Sequence, residues 1–293
     1  MRNKVSALTF TILLLAFAAF AGTPVNESRS VDPNGTVSIS NIAGLIEVQG
    51  WDRAEVQVTG TLADGVEKLE FEVSGTHTKI NVKYPRRSKN IEGSSITVMV
   101  PVASTVEAQG VSADITATGL RGELDLESVS GDIEVGVGPA VIDAESVSGD
   151  ITLDLAPDRT ELATVSGDIV VKDVGGRIEA ASVSGDVRIE GGMLDGGEFE
   201  TVSGDLWVSA DLGNGSLEME SMSGDLTLEV PGSISADFDV ETFSGSIHND
   251  LSGDRPSRTS KYTPGEELSF SIGSGGLRIN LSTFSGSIKL TQK

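Results

Sequence analysis

The chain has 293 residues, of which 44 are acidic and 21 are Lys or Arg, so its formal net charge is −23. A surface of this charge repels nucleic acid and anionic lipid, which argues against both as partners. Cysteine is absent, which excludes disulfides and lipid attachment through a thiol. With 38% hydrophobic and only 4% aromatic residues, we expect a thin core of small aliphatic side chains rather than a bulky globular core.

Residues 1–21 have the pattern of a secretory signal peptide. Arg2 and Lys4 precede an apolar run that extends to Phe20, and a small-x-small cleavage pattern ends at Ala21. An N-terminal membrane anchor is the alternative, but the apolar run is short and interrupted by polar residues. We therefore expect export and a mature protein in the periplasm or outside the cell. Residues 22–36 are polar and are predicted to form a flexible lead-in.

Residues 37–293 are predicted to form a single solenoid domain. The apolar pattern of the later repeats is already present at residues 42–48, so the solenoid is expected to begin near Val37. Residues 62–101 depart from this pattern. Their alternating apolar and polar runs predict longer strands in a partly antiparallel elaboration.

A V-S-G-D type motif organises the chain between residues 111 and 290. It returns at intervals of 18 residues and later of 19, 20, 21 and 41, starting at Val111, Val129, Val147, Val165, Val183, Val202, Met222, Phe243 and Phe284. A fixed period of this kind is typical of a solenoid, in which each coil buries its apolar face against its neighbours. The 41-residue interval predicts an insertion at about residues 249–267. We expect the coil after it to close the array, with the larger first residues of the last repeats covering the end.

Each coil divides into two similar halves of nine residues. The first regular coil places its apolar residues at Val111, Ile115, Ala117, Leu120, Leu124 and Leu126. Pairs of these residues are spaced by two, which puts them on one side of a short strand. The sequence therefore predicts an all-β fold, a parallel β-solenoid of the β-helix or β-roll type. Its coils have about 18–21 residues, with two strands per coil and two parallel sheets across a thin core. No stretch has the helical apolar period, so almost no helix is expected after residue 21.

These coils, the segment I-A-G-L-I-E-V at residues 42–48 and the segment M-V-P at 99–101 resemble the bacterial "putative-adhesin" family of β-strand-repeat proteins, a domain of unknown function. The resemblance covers roughly residues 37–290 and implies a parallel β-solenoid on the cell envelope or secreted. It supplies no catalytic residues.

The S-G-D tripeptide is interpreted as a bend. Its glycine, for example Gly167, is expected to permit a positive φ and a close approach of neighbouring backbones. Its Ser and Asp side chains are expected to bond to nearby backbone groups in local turns. The aspartates should form a column with a rise of ~4.8 Å, and they are Asp114, Asp132, Asp150, Asp168, Asp186, Asp205 and Asp225. Calcium binding is the alternative to a solvated column, but the coils lack the nonapeptide of calcium-binding β-rolls.

Catalysis is not indicated. Of the two histidines, His77 and His248, the second lies near Ser244 and Asp250 in sequence, but no nucleophile elbow accompanies it. No phosphate-binding loop or dinucleotide fingerprint is present, and nothing singles out a pair among the 44 carboxylates. The sequence therefore selects no catalytic, cofactor-binding or metal-binding residue, and we expect no enzyme activity and no cofactor.

Two basic segments interrupt the acidic repeats, and they contain both tyrosines of the chain. They are Lys79, Lys83, Tyr84, Arg86, Arg87 and Lys89 in the first and Arg255, Arg258, Lys261 and Tyr262 in the second. Either they are solvated loops, or they contact an anionic polymer or an acidic partner, with the tyrosine rings adding stacking area.

The leading interpretation is an exported, non-enzymatic, adhesin-like binding or structural module of the cell envelope that contacts a polysaccharide or protein partner. The alternatives are a polysaccharide-acting enzyme on a solenoid scaffold and a passive spacer.

Overall fold

The computed structural model describes residues 22–85, 92–136, 138–139, 141–154, 158–258 and 264–293. Strands, bends and turns account for these residues, and none of the described segments is helical. Accordingly, they include no helix that could cross a bilayer.

The strands follow one another along the chain with short bends between them. Before the regular coils lie β1 (Thr23–Ser30), β2 (Thr36–Trp51), β3 (Glu55–Leu62), β4 (Lys68–Ser74), β5 (His77–Lys83), β6 (Ser94–Pro101) and β7 (Thr105–Thr118). The regular coils contain β8 (Glu123–Ser128), β9 (Ile133–Val135), β10 (Val141–Ser146), β11 (Ile151–Asp154), β12 (Arg159–Thr164), β13 (Ile169–Val174), β14 (Arg177–Ser182), β15 (Val187–Leu194), β16 (Gly196–Thr201), β17 (Leu206–Leu212), β18 (Ser216–Ser223) and β19 (Leu226–Val230). The C-terminal part contains β20 (Ala236–Ser244), β21 (Ile247–Asn249), β22 (Ser257–Arg258), β23 (Glu266–Ile272), β24 (Leu277–Ser285) and β25 (Ile288–Gln292).

Two parallel ladders run along the solenoid, as the two nine-residue halves predict. Ladder A contains β8, β10, β12, β14, β16 and β18, and ladder B contains β9, β11, β13, β15, β17 and β19. Equivalent residues pair between successive coils, for example Leu124 with Ile142 in ladder A and Ile133 with Ile151 in ladder B. Their aliphatic side chains are fully buried and form one continuous core. The predicted parallel β-solenoid is confirmed.

The N-terminal end of the solenoid is built from longer and partly antiparallel strands. Strand β2 extends through both ladders and pairs in parallel with β7 on one side and with β5 and β6 on the other. Strands β4 and β1 then pair antiparallel with β5 and β3, and β3 pairs antiparallel with β6. The prediction of a flexible lead-in at residues 22–36 is therefore wrong for β1, whose backbone hydrogen bonds extend ladder B at the free edge of β3.

The coils at the C-terminal end are not stacked in chain order. Strands β24 and β25 insert between the coil of β18 and β19 and the coil of β20 and β21. Strand β23 pairs antiparallel with β20 on its outer side, and Phe270 stacks on Phe238 with ring centroids 4.5 Å apart. The expectation that the last coil closes the array is therefore wrong. On the side of ladder A the end is covered by β23, which lies partly in the predicted insertion.

Candidate functional site

The bend from ladder A to ladder B is the most regular feature of the surface, and a buried hydroxyl holds it in place. The residue before the motif is a buried Ser or Thr in eight of the nine repeats, and it is Gly110 in the first. In three coils the serine Oγ accepts a hydrogen bond from the glycine N–H three residues later, at 2.8–2.9 Å. The sequence interpretation missed this role. The signal was present, because Ser128 continues the two-residue alternation of the buried Leu124 and Leu126.

The glycine of the motif is required by a close approach of two backbones. A Cβ on Gly167 would overlap the carbonyl group of Gly149 in the preceding coil, and the same relation recurs between Gly149 and Gly131. These glycines do not have the positive φ that the sequence interpretation expected. The close approach was predicted correctly, and it alone explains why a side chain cannot be placed here.

The first residue of the motif points outward, unlike the other apolar residues of the coil. The valines at this position are 43–48% exposed, whereas Ile115, Ala117, Leu120, Leu124 and Leu126 are buried. The larger residues of the last repeats are exposed as well, at 49–60%, so they do not cover the end of the core. Together these side chains form what we call the apolar stripe: Val111, Val129, Val147, Val165, Val183, Val202, Met222, Phe284 and Phe243, in their spatial order.

The apolar stripe is continuous because its members belong to adjacent, hydrogen-bonded coils. The N–H that follows each valine donates to the valine carbonyl one coil earlier, as from Ser148 to Val129 at 3.0 Å. At the far end Phe243 stacks on Phe284 with ring centroids 4.7 Å apart. Eight steps of ~4.8 Å give the stripe a length of about 38 Å. At about 70 Å² for each half-exposed aliphatic side chain, it presents on the order of 600 Å² of apolar surface.

A column of mostly acidic residues runs beside the apolar stripe on ladder A. Its members lie two residues before those of the stripe and pair between coils, in the spatial order Gln109, Glu127, Glu145, Ala163, Ala181, Glu200, Glu220, Ser282 and Glu241. A shallow groove lies between stripe and column, with two cavities of about 470 Å³ and 500 Å³ that meet at Ala163 and Thr164. The groove thus has acidic borders toward both ends and an apolar middle.

A second acidic column, which contains Asp125, Asp143 and Glu161, runs along the outer face of ladder A. It strengthens the negative potential beside the groove. Burial raises the pKa of Asp143, and the neighbouring Glu161 and Asp125 raise it further. The pKa of Glu220 in the groove border is raised by burial and by the carboxylates of Glu218 and Glu200. Carboxylates here repel one another, so a cation bound at this face would be favoured.

The aspartates of the motif form the predicted column, but they stabilise the contact between coils instead of local turns. Oδ1 of each aspartate accepts the backbone N–H of the equivalent residue in the next coil, for example from Asp168 to Asp150 at 2.9 Å. The same bond joins each pair of neighbouring coils along the column, beginning at Asp114 and ending where Ser287 donates its N–H to Asp225. Among the described residues, no three His, Cys, Asp or Glu side chains converge in a way that could hold a metal ion.

Within the described residues, Tyr84 of the first basic segment does not offer the stacking area that contact with a partner was expected to use. Tyr84 is 8% exposed, and its hydroxyl lies 2.9 Å from Oγ of the buried Ser94, so its ring belongs to the core and offers no stacking area. Lys83 forms a salt bridge with Glu70, and the pKa of Glu70 is lowered to about 2, first by Lys68 and then by Asn81 and Lys83. Lys79, Arg255 and Arg258 are exposed, and the other predicted members Arg86, Arg87, Lys89, Lys261 and Tyr262 lie outside the described residues.

The histidines are surface residues. His77 is exposed at the start of β5. His248 is 65% exposed, and its Nε2 lies 3.0 Å from Oδ2 of Asp250. Within the described segments no serine hydroxyl is hydrogen-bonded to His248, so the Ser244–His248–Asp250 grouping is not assembled as a nucleophile and base.

Comparison with known proteins places this geometry in a family. The family model described as Toastrack DUF4097 matches residues 36–291. Two solved structures are similar to this chain, and each match covers 92% of this chain and 97% of the chain of the solved structure. One is titled a putative adhesin from Parabacteroides distasonis, with 11% identity and a TM-score of 0.50. The other is titled a putative adhesin from Bacteroides fragilis, with 12% identity and a TM-score of 0.49. No curated protein matches the chain.

Proposed function

The chain belongs to the Toastrack DUF4097 family, and from this premise we propose that it is an exported, non-enzymatic, adhesin-like binding module of the cell envelope. Its binding surface is the apolar stripe. The single observation that carries the proposal is the row of half-exposed apolar side chains at every bend from Val111 to Phe243. The adhesin-like part of the proposal is supported by the Parabacteroides distasonis structure, which is described as a putative adhesin and shares the fold at 11% identity.

The apolar stripe is not required by the fold, which supports a role in binding. The buried Ser or Thr, the glycine and the aspartate already determine the bend through intercoil and local hydrogen bonds. A polar residue at the first motif position would satisfy the same backbone bonds and would cost little stability at a surface site. A contiguous exposed apolar patch of about 600 Å² lies at the upper end of the range for soluble monomers, and such patches are often functional.

The test is a capture experiment with a stripe variant and a matched control. The stripe variant replaces Val147, Val165 and Val183 by serine. The control replaces Thr116, Thr152 and Val170, which point outward from ladder B, by alanine. Immobilised wild type, stripe variant and control are incubated with envelope protein and envelope polysaccharide fractions of the source organism. Retained material is then measured before and after protease and periodate treatment.

We expect the wild type and the control to retain a component that the stripe variant loses at least tenfold, while circular dichroism shows all three folded. Equal retention by all three would place binding elsewhere and overturn the stripe as the site. Retention of no component by any of them would favour the passive spacer. Release of shortened glycans from the polysaccharide fraction would favour the enzyme.

A further inference from the structure

Building on the proposed function, we propose that the groove beside the apolar stripe receives an amphipathic α-helix of a partner protein with Lys or Arg along one border. The apolar row of that helix would lie on the stripe, and its cations would face the acidic column. The acidic column is separated from the stripe by one buried residue per coil, so both line the same groove.

Hydrogen bonding favours a helix over an extended strand in this groove. The backbone N–H and C=O groups at the bends are already paired between coils, as in the bonds from Val147 to Ser128 and from Ser148 to Val129. An extended strand lying along the stripe would find no backbone partners there, and its own polar groups would be desolvated at a cost. A helix satisfies its backbone internally and needs only side-chain contact, which is the helix-in-groove mode of recognition.

The spacing of the stripe also suits a helix. One apolar side chain appears about every 4.8 Å along the stripe, close to the 5.4 Å pitch at which a helix returns a residue to the same face. In an extended strand, residues on the same face recur at about 6.6 Å, so they match the spacing of the stripe residues less well. At about 1.5 Å per residue, the full 38 Å of the stripe corresponds to roughly 25 helical residues.

The gap in the acidic column makes the charge pattern of the partner specific. Glu145 and Glu200 are three coils apart, and the positions between them are Ala163 and Ala181. Three steps amount to about 14 Å, close to the length of three helical turns, which contain about 11 residues. The partner helix therefore carries two basic residues about eleven positions apart on the same face, with apolar residues between them. These cations would lie beside Glu145 and Glu200, and the second would also relieve the repulsion that raises the pKa of Glu220.

Charge argues against the other occupants. A second copy of the chain would bring the same acidic column and a net charge of −23 to the interface, so the contact would be repulsive. Most of the stripe is aliphatic, and aromatic rings, which stack on sugar faces, occur only at the Phe284 and Phe243 end. A protein segment with apolar and basic residues fits both the apolar stripe and the acidic column.

The experiment is a selection from a displayed library of random peptides of about 25 residues, panned on the purified chain. The serine variant, in which Val147, Val165 and Val183 are replaced by serine, is kept for the binding measurements. Enriched peptides are synthesised, and their binding is measured by fluorescence anisotropy and circular dichroism. The tested proteins are the wild type, the serine variant, E145Q/E200Q and the control E134Q/E229Q, whose two carboxylates lie on ladder B.

We expect peptides with apolar residues every three or four positions and Lys or Arg about eleven positions apart, which become helical on binding. Their affinity should fall at least tenfold in the serine variant and about fivefold in E145Q/E200Q. E134Q/E229Q should bind as the wild type does.

Stripe-dependent peptides that lack a helical period or show no basic preference would overturn the helix and leave the stripe as the binding surface. Two further results would also overturn the helix. One is that the component captured through the stripe is sensitive only to periodate, and the other is that the chain forms a dimer through the stripe. Peptides that bind the serine variant as well as the wild type would count against both proposals.

Discussion

Replacing Gly167 by alanine tests the close packing that determines the spacing of the coils. The new Cβ would overlap the carbonyl oxygen and carbon of Gly149 and the backbone nitrogen of Asp150, none of which is a flexible side chain. The preceding coil must therefore move, or the bend must open. Because φ of Gly167 is not in the left-handed region, the expected effect comes from this contact and not from backbone strain.

The magnitude follows from two contributions. Overpacking of a rigid site costs about 1–3 kcal/mol. Displacing the bend also weakens the bonds from Asp168 to Asp150 and from Ser166 to Val147, at about 1 kcal/mol each. The free energy of unfolding should fall by about 3–5 kcal/mol, which corresponds to a decrease in Tm of roughly 10 °C for a chain of this size.

Urea unfolding followed by far-ultraviolet circular dichroism provides the measurement, with G253A as the control. Gly253 also has no positive φ, and in the described part of the chain no atom lies within 4 Å of its added Cβ, so its change should stay within about 0.5 kcal/mol. If G167A were as stable as G253A, the coils would not be held at the spacing that the glycine column indicates.

Three further predictions concern buried or crowded polar groups. S182A should lose about 1–3 kcal/mol, because the buried N–H of Gly185 loses its acceptor. S182T should stay near wild type, since the hydroxyl of Thr164, one coil earlier, also bonds to the glycine of its motif by donating to the carbonyl of Gly167; equal loss in both would refute the role of this hydroxyl. T160V should raise stability by about 1 kcal/mol in urea unfolding, because the buried Oγ1 of Thr160 has no hydrogen-bond partner, and a loss would contradict this. D143N should be more stable by a few tenths of a kcal/mol at neutral pH, because burial and neighbouring carboxylates raise the pKa of Asp143. Since a raised pKa makes the ionised form destabilising, this advantage should disappear below about pH 4, and calorimetry across that range would show whether it does.

The sequence by itself determined the repeat and therefore the ladders. Residues such as Leu124 and Ile142 recur at one period, and identical periods bring identical residues into register when coils stack. The same regularity correctly predicted the close approach at Gly167 and the column containing Asp168. These features depend on local pattern and on translation along one axis, both of which a single sequence displays.

The tertiary structure alone decided which apolar residues face solvent and how the ends are built. At the bend the alternation of a strand is interrupted, with Ser128 inward, Val129 and Ser130 outward and Gly131 inward, so periodicity cannot assign the side of Val129. The pairing of β1 with β3, and of β24 between β18 and β20, depends on which strand edges remain open after folding. Such edges are properties of the assembled sheet, so the apolar stripe and its far end could be located only in three dimensions.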